Sequence, residues 1–340
     1  MNETIRKNLS KKGVLTLTLN RPEVLNAMNA DLILGLLENI NEAESNKQVR
    51  SIIITGSGRG FCSGADLVDG GWPKTQGRSS GEATFNNMEN AFNPLVKAIT
   101  QSNKPVITAI NGIAAGGGVG LALCGDIVIA SSSAKFKLVF GPNLGIISDV
   151  GASWFVPNLI GRARANGMGL LGEDLSAEQA KEWGLIWDCV ADDQLIHKAE
   201  EIAEKIADGP IEGLKAIVKA HDRALSSTLS EQLDYEKETQ RVRTDSQDFK
   251  DLINKPSFHS TWGELKGSEL KTAPRGIDKN HPDIELIRKK QYIFLINYSN
   301  KEVCQTNFID RVEGAIKKVR PFVDYMSEVL TTDENGESLL

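Results

Sequence analysis

The chain is organised around Asn111-Gly-Ile-Ala-Ala-Gly-Gly-Gly-Val-Gly-Leu-Ala-Leu-Cys124, in which three consecutive glycines stand between a predicted strand and a predicted helix. The preceding run Pro105-Val-Ile-Thr-Ala-Ile110 is typical of a buried strand, and Leu121–Cys124 is compatible with a helix. Glycine lets the backbone approach a ligand closely, and the first turn of a helix presents unpaired N–H groups. The stretch therefore predicts either a site for a developing oxyanion or a tight turn that serves packing alone.

A second glycine-bearing loop, Gly56-Ser-Gly-Arg-Gly-Phe-Cys-Ser-Gly-Ala-Asp-Leu67, follows the apolar run Ser51-Ile-Ile-Ile-Thr55. Two such loops after two buried strands can each direct one backbone N–H to a common point. In order, spacing and surroundings the pair resembles the enoyl-CoA hydratase/isomerase (crotonase) superfamily, over about residues 10–255.

The resemblance implies that two backbone N–H groups hold a thioester oxygen while it becomes an enolate. The residues that match these donors are Ala65 and Gly117. It also implies that Asp66, Leu67 and Val68 line the substrate and its coenzyme A. We expect no cofactor beyond the coenzyme A that the acyl-CoA substrate carries, and a homotrimer or a dimer of trimers as the assembly.

Composition excludes several other classes of protein. The net charge of -6 argues against a nucleic-acid binder. The four cysteines form no CxxC pair, which argues against a zinc site or a disulfide framework and favours reduced thiols in the cytoplasm. No run approaches the ~18 apolar residues of a membrane span.

The alternation of strands and helices predicts an α/β fold. Leu15, Leu17 and Leu19 alternate with threonines and indicate a half-buried strand, and a helical face follows, formed by Ile33, Leu36, Leu37 and Ile40. The pattern alone favours a doubly wound sheet, whereas the resemblance implies a spiral of ββα units with a C-terminal helical region. Residues 68–89 have no clear period and indicate a solvated loop. Ser176-Ala-Glu-Gln179 predicts a helix start, and Gly184 its end.

We divide the chain into a crotonase core (1–195), a helical cover and trimerisation region (196–256) and a small, mostly helical tail (257–340). The tail resembles the C-terminal part of an uncharacterised bacterial domain family. It is either a fused remnant or an accessory module that binds a partner. We expect a chain ending near Lys255 to fold and to keep its activity.

The catalytic carboxylates expected of a hydratase are missing. Hydratases of the family generally use two glutamates, and glycines stand at the matching positions here, Gly120 and Gly141. Asp149, in Ile147-Ser-Asp-Val-Gly151, precedes a predicted helix and is either its N-cap or an acid that faces the substrate, as in family isomerases. In the second case Asp149 removes a proton beside or vinylogous to the thioester carbonyl, and an apolar pocket raises its pKa.

Within the superfamily the resemblance points to the ring-1,2-epoxyphenylacetyl-CoA isomerases of phenylacetate degradation. The shared segments include Phe92-Asn-Pro-Leu-Val96, Gly161-Arg-Ala-Arg-Ala165 and Trp183-Gly-Leu-Ile-Trp187. An isomerase of enoyl-CoA or epoxyphenylacetyl-CoA is therefore our first hypothesis.

Two alternatives stay open: a hydratase or acyl-CoA hydrolase that activates water with Asp149, and a non-catalytic crotonase-like binding protein. We expect Asp66 to organise its loop and Cys62 to be a packing residue. We also expect Gly120→Glu with Gly141→Glu to introduce hydration if the backbone is hydratase-like.

Overall fold

A computed structural model describes residues 3–67 and 79–254. Its strands are β1 Ile5–Leu9, β2 Val14–Leu19, β3 Ser51–Gly56, β4 Gly60–Cys62, β5 Val106–Ile110, β6 Ile113–Ala115, β7 Ile127–Ser131, β8 Lys135–Lys137, β9 Leu175–Ser176 and β10 Asp188–Val190. Its helices are α1 Ala30–Ser45, α2 Ser80–Asn87, α3 Asn93–Thr100, α4 Gly117–Leu123, α5 Ala152–Leu171, α6 Ala177–Trp183, α7 Leu195–Ala207, α8 Ile211–Ala224, α9 Leu229–Thr244 and α10 Gln247–Asn254.

The strands form two sheets. The first has six strands in the order β1-β2-β3-β5-β7-β10, and the second has four in the order β4-β6-β8-β9. In each of the pairs β3/β4, β5/β6 and β7/β8, the second strand leaves the first sheet and joins the other. A helix follows each pair, so the predicted spiral of ββα units is confirmed and the doubly wound sheet is wrong. The strand-to-helix transition at the glycines also contains a strand, β6, that the sequence pattern did not indicate.

The buried residues of β2 and α1 follow the predicted hydrophobic periodicity. Leu15, Leu17 and Leu19 of β2 are buried. On α1, Ile33, Leu36 and Ile40 are buried with Leu32 and Ala43, and Leu37 is partly buried against them. Burial of each such Leu or Ile side chain stabilises the fold by roughly 1.5–3 kcal/mol relative to its exposure. The Asn29 side chain caps α1 by accepting a hydrogen bond from the Leu32 N–H.

The predicted loop over 68–89 is wrong in its second half, which forms α2. Ser79 and Glu82 make a reciprocal capping box: the Ser79 hydroxyl accepts from the Glu82 N–H, and the Glu82 carboxylate accepts from the Ser79 N–H. This S-x-x-E signature was present in the sequence. At α6 the two predicted ends are confirmed, because Ser176 caps its start and Gly184, with a φ of 81°, ends it.

Helix α7 covers the first sheet and α8 packs beside it. Leu195, Ala199, Ala203 and Ala207 of α7 pack with buried residues of that sheet. Helix α8 is anchored by a buried ion pair in which the Lys215 Nζ lies 2.9 Å from the Asp126 Oδ1. Burial raises the pKa of the Asp126 carboxyl, and Lys215 opposes that rise.

The described residues fall into two units, one ending at Gln240 and one starting at Arg241. The predicted boundary at 256/257, the whole tail and its helical pattern lie outside the described residues and stay predictions. Among the helices of the described ranges, none is both long and apolar enough to cross a membrane.

Candidate active site

The first loop is held by a short backbone pairing with Met28. The Met28 N–H donates to the Gly64 carbonyl at 2.7 Å, and the Asp66 N–H donates to the Met28 carbonyl at 3.0 Å. The two bonds use the Gly64 carbonyl and the Asp66 N–H, which flank Ala65. The pairing therefore leaves the Ala65 N–H unused. Gly64 precedes Ala65 with a φ of 98°, a conformation that favours glycine. Ala65 itself is exposed.

The second loop approaches the first at the start of α4. Gly117 is the first residue of that helix, so no carbonyl within the helix can accept from its N–H. A Cβ built on Gly64 would lie 3.3 Å from the Gly117 nitrogen, which puts the two loops in contact. The structure therefore brings the two predicted donor segments together.

The three consecutive glycines also serve packing. Gly116 has a φ of 54°, which favours glycine, and a Cβ on Gly118 would lie 2.1 Å from the Cys62 carbonyl oxygen. A Cβ on Gly117 would lie 2.9 Å from the Met28 Cε and 2.9 Å from the Val150 Cγ2. At Gly118 the backbone of α4 thus lies too close to the Cys62 backbone for any larger residue.

Asp149 lies beside Gly117 and does not cap a helix. The N-cap of α5 is Gly151, with no side-chain capping bond, so the N-cap alternative is wrong. The Asp149 Oδ1 is 3.4 Å from the position that a Cβ would take on Gly117. Burial raises the pKa of the Asp149 carboxyl, and the residue's own backbone N–H partly opposes that rise. A half-buried carboxylate of this kind is suited to general-base chemistry.

The residue after Asp149 is in a strained conformation. Val150 has a φ of 51°, and a β-branched residue with positive φ is an outlier. Such conformations cost on the order of 1–3 kcal/mol and often occur at functional sites.

Asp66 organises its loop through a residue that the sequence did not single out. Arg21 lies 2.9 Å from the Asp66 Oδ2, with 15% and 9% of the two side chains exposed, and its guanidinium also donates to the Ala27 carbonyl at 2.6 Å. The prediction that Asp66 is structural agrees with this geometry. No local pattern in the sequence reveals this ion pair, because Arg21 and Asp66 are 45 positions apart. Leu67 is 74% exposed, and Val68 lies outside the described residues.

Residues 10–259 match the family model described as enoyl-CoA hydratase/isomerase. The chain belongs to this family. The 1,2-epoxyphenylacetyl-CoA isomerase of Escherichia coli strain K12 is 46% identical over 246 residues, which are 72% of this chain and 92% of the relative. Among solved structures, an enoyl-CoA hydratase from Polaromonas sp. superposes with a TM-score of 0.68 at 29% identity, covering 76% of this chain and 97% of that one.

A monofunctional enoyl-CoA isomerase from M. smegmatis superposes with a TM-score of 0.57 at 30% identity, covering 68% of this chain and 99% of that one. The shared fold thus accompanies both hydration and isomerisation, and the side chains of the site have to discriminate between them. Residues 230–325 match a second family, described as a conserved hypothetical protein, which confirms the resemblance of the tail. The two family matches overlap over residues 230–259.

At the two glycines that stand at the glutamate positions, an added Cβ would meet neighbouring backbone. A Cβ on Gly120 would lie 2.2 Å from the Val150 carbonyl oxygen, and one on Gly141 would lie 2.9 Å from the Gly169 carbonyl oxygen. Both contacts are with backbone, which cannot move aside as a flexible side chain can. The condition of the earlier expectation, a hydratase-like backbone, is not met at Gly120, which has no room for a side chain, so we do not expect the two glutamates to introduce hydration.

Cys62 is a packing residue, as predicted. It is fully buried, and burial raises the pKa of its thiol to about 12, so the nucleophilic thiolate is not formed at neutral pH. Within the part of the chain that the structure describes, no group of three or more His, Cys, Asp or Glu side chains could hold a metal ion.

Proposed function

We propose that the protein is an acyl-CoA isomerase in which Asp149 moves the proton and the N–H groups of Ala65 and Gly117 hold the thioester oxygen. One observation carries this proposal: the Asp149 Oδ1 lies 3.4 Å from the Cβ position of Gly117, while Gly120 and Gly141 cannot titrate and Gly120 has no space for a side chain. Isomerisation moves a proton and adds no atoms, so a single carboxyl group suffices. Hydration also needs an activated water, for which the family's usual glutamate pair is absent.

The reaction of a 3-enoyl-CoA would proceed in two proton transfers. Ionised Asp149 takes a proton from C2, the carbon between the thioester carbonyl and the double bond, and the C–H electron pair moves into a dienolate. The two N–H donors stabilise the negative charge on the thioester oxygen. The protonated Asp149 then returns the proton to C4, which yields the conjugated 2-enoyl-CoA and restores the carboxylate.

Two classes of acyl group are the leading substrates: a 3-enoyl chain and an epoxide-derived aromatic group. The 46% identical relative is a 1,2-epoxyphenylacetyl-CoA isomerase, which favours an epoxide-derived aromatic acyl group. Two large apolar side chains close in sequence to the site residues are exposed: Leu67, two residues after Ala65, and Ile147, two residues before Asp149, with 74% and 84% of their surface exposed. These side chains suit an apolar acyl chain or ring. Coenzyme A as the only cofactor-like group, a homotrimeric assembly and a cytoplasmic location stay predictions.

The test is incubation of the full chain with 3-hexenoyl-CoA, crotonyl-CoA and epoxyphenylacetyl-CoA, followed by chromatography and mass spectrometry. An isomerase converts the first or third thioester into a product of unchanged mass and altered retention. A product heavier by one water from crotonyl-CoA would establish a hydratase instead. Release of free coenzyme A would establish a hydrolase, and recovery of all three thioesters unchanged would favour a binding protein.

A further inference from the structure

The turn between β8 and α5 contains a side chain whose backbone conformation is unfavourable. Val150, with its φ of 51°, stands between Asp149 and Gly151, which also has a positive φ of 82°. A glycine at position 150 would adopt the same turn without the clash of a β-branched side chain. The contacts of the Val150 side chain therefore have to account for its presence.

Those contacts are with α4. Val150 is 3% exposed; its Cγ2 lies 2.9 Å from the Cβ position of Gly117, and its own Cβ lies 2.9 Å from that of Gly120. The Met28 Cε also lies 2.9 Å from the Cβ position of Gly117. Met28 is the residue whose backbone holds the first loop through its bond to Gly64. The space where a Gly117 side chain would stand is thus filled both by the residue that fixes one loop and by the residue beside Asp149.

Resting on the proposed role of Asp149 as the base, we propose that Val150 is a positioning residue, which holds the Asp149 carboxylate against Gly117. The isopropyl group packs against α4 and so fixes the peptide that links residues 149 and 150. The Met28 side chain packs at the same place beside Gly117. Together the two side chains fix the distances between the Asp149 carboxylate and the N–H groups of Ala65 and Gly117. A smaller residue would leave the turn several conformations, and the carboxylate would spend less time in reach of the substrate carbon.

The test compares Val150→Ala and Val150→Thr in the full chain with Val156→Ala, a matched control. Val156 lies on α5 and is 1% exposed, so its truncation removes the same atoms from the core. We expect Val150→Ala to lower kcat at least tenfold with KM within about twofold, and the isosteric Val150→Thr to keep most of kcat. The acid limb of the kcat/KM profile of Val150→Ala should move to lower pH, because water reaches Asp149.

A fall in kcat for Val150→Ala no larger than for Val156→Ala would overturn the proposal, whatever the loss in thermal stability. Asp149→Asn and the double variant Asp149→Asn/Val150→Ala complete a cycle. If Val150 acts through Asp149, the second substitution costs no further kcat in the Asn background, and an equal tenfold loss there would also overturn it. Normal turnover of Asp149→Asn alone would instead refute the function proposed for Asp149.

Discussion

Asp149→Asn tests the assignment of the catalytic base directly. The substitution keeps the size of the side chain but cannot accept a proton, and it leaves the N–H groups of Ala65 and Gly117 unchanged. Loss of a general base lowers turnover about 100- to 10000-fold. We expect at least a 100-fold fall in kcat, which corresponds to about 2.7 kcal/mol of barrier. Binding of the acyl-CoA should persist, because binding does not require the proton acceptor.

The structure also predicts the pH dependence. Burial raises the pKa of Asp149 above its ordinary value of 3.8, and the base acts only when ionised. The kcat/KM of the native protein should therefore fall on acidification at a higher pH than an ordinary carboxyl would give. The Asp149→Asn variant should lose this limb and retain only a low, flat residual rate.

The same shift has a consequence for stability. The folded protein holds the Asp149 proton more tightly than the unfolded chain does, so ionisation of this residue destabilises the fold as pH rises through the raised pKa. Asp149→Asn should therefore unfold at a higher urea concentration than the native protein at neutral pH. The difference in urea midpoint between the two proteins should vanish below the pKa of Asp149 in the unfolded chain, near pH 3.8.

The assay is steady-state isomerisation of the best thioester found in the substrate panel, with Asp174→Asn as a matched control. Asp174 forms surface ion pairs with Lys135 and Lys137 of β8 and belongs to no part of the site, so its variant should stay within about twofold of native turnover. Near-native kcat for Asp149→Asn, or an unchanged acid limb in that variant, would refute the role of Asp149.

Three further substitutions test one close backbone contact and two buried ion pairs, each by urea unfolding. Gly120→Ala should destabilise the fold by about 1–3 kcal/mol or more because its methyl group meets a backbone oxygen at 2.2 Å, whereas Gly167→Ala, with no atom within 4 Å, should cost nothing. Arg21→Met breaks a largely buried ion pair and should cost about 3 kcal/mol, with a fall in kcat; a change below about 1 kcal/mol would contradict this. Lys215→Met should cost about 3–5 kcal/mol at neutral pH and less in acid, where Asp126 takes a proton; a loss independent of pH would contradict the reasoning.

The spacing of apolar residues was enough to predict the strands and helices that bury one face. The alternation of Leu15, Leu17 and Leu19 predicts β2, and the spacing of Ile33 and Ile40 predicts the buried face of α1. Strand β6 was missed because three residues are too few to show a period.

The site was predictable only in part. The glycine loops and Asp149 stand out through their resemblance to a family. Two other features did not, because each depends on a contact between distant segments: the Arg21–Asp66 ion pair joins positions 45 apart, and the positive φ of Val150 is contrary to the ordinary preference of valine.

The missing glutamate at position 120 and the turn that carries Asp149 belong to one packing arrangement. The Val150 carbonyl lies 2.2 Å from where a Cβ on Gly120 would be, so the turn occupies the space that any side chain there would need. A glutamate at position 120 and this conformation of residues 149–151 therefore exclude each other. Changing the titratable groups alone cannot convert this backbone into one with the family's usual acid pair, because the strained turn would first have to move away from α4. In this chain the choice between the two chemistries thus depends on a backbone conformation as well as on which carboxylates are present.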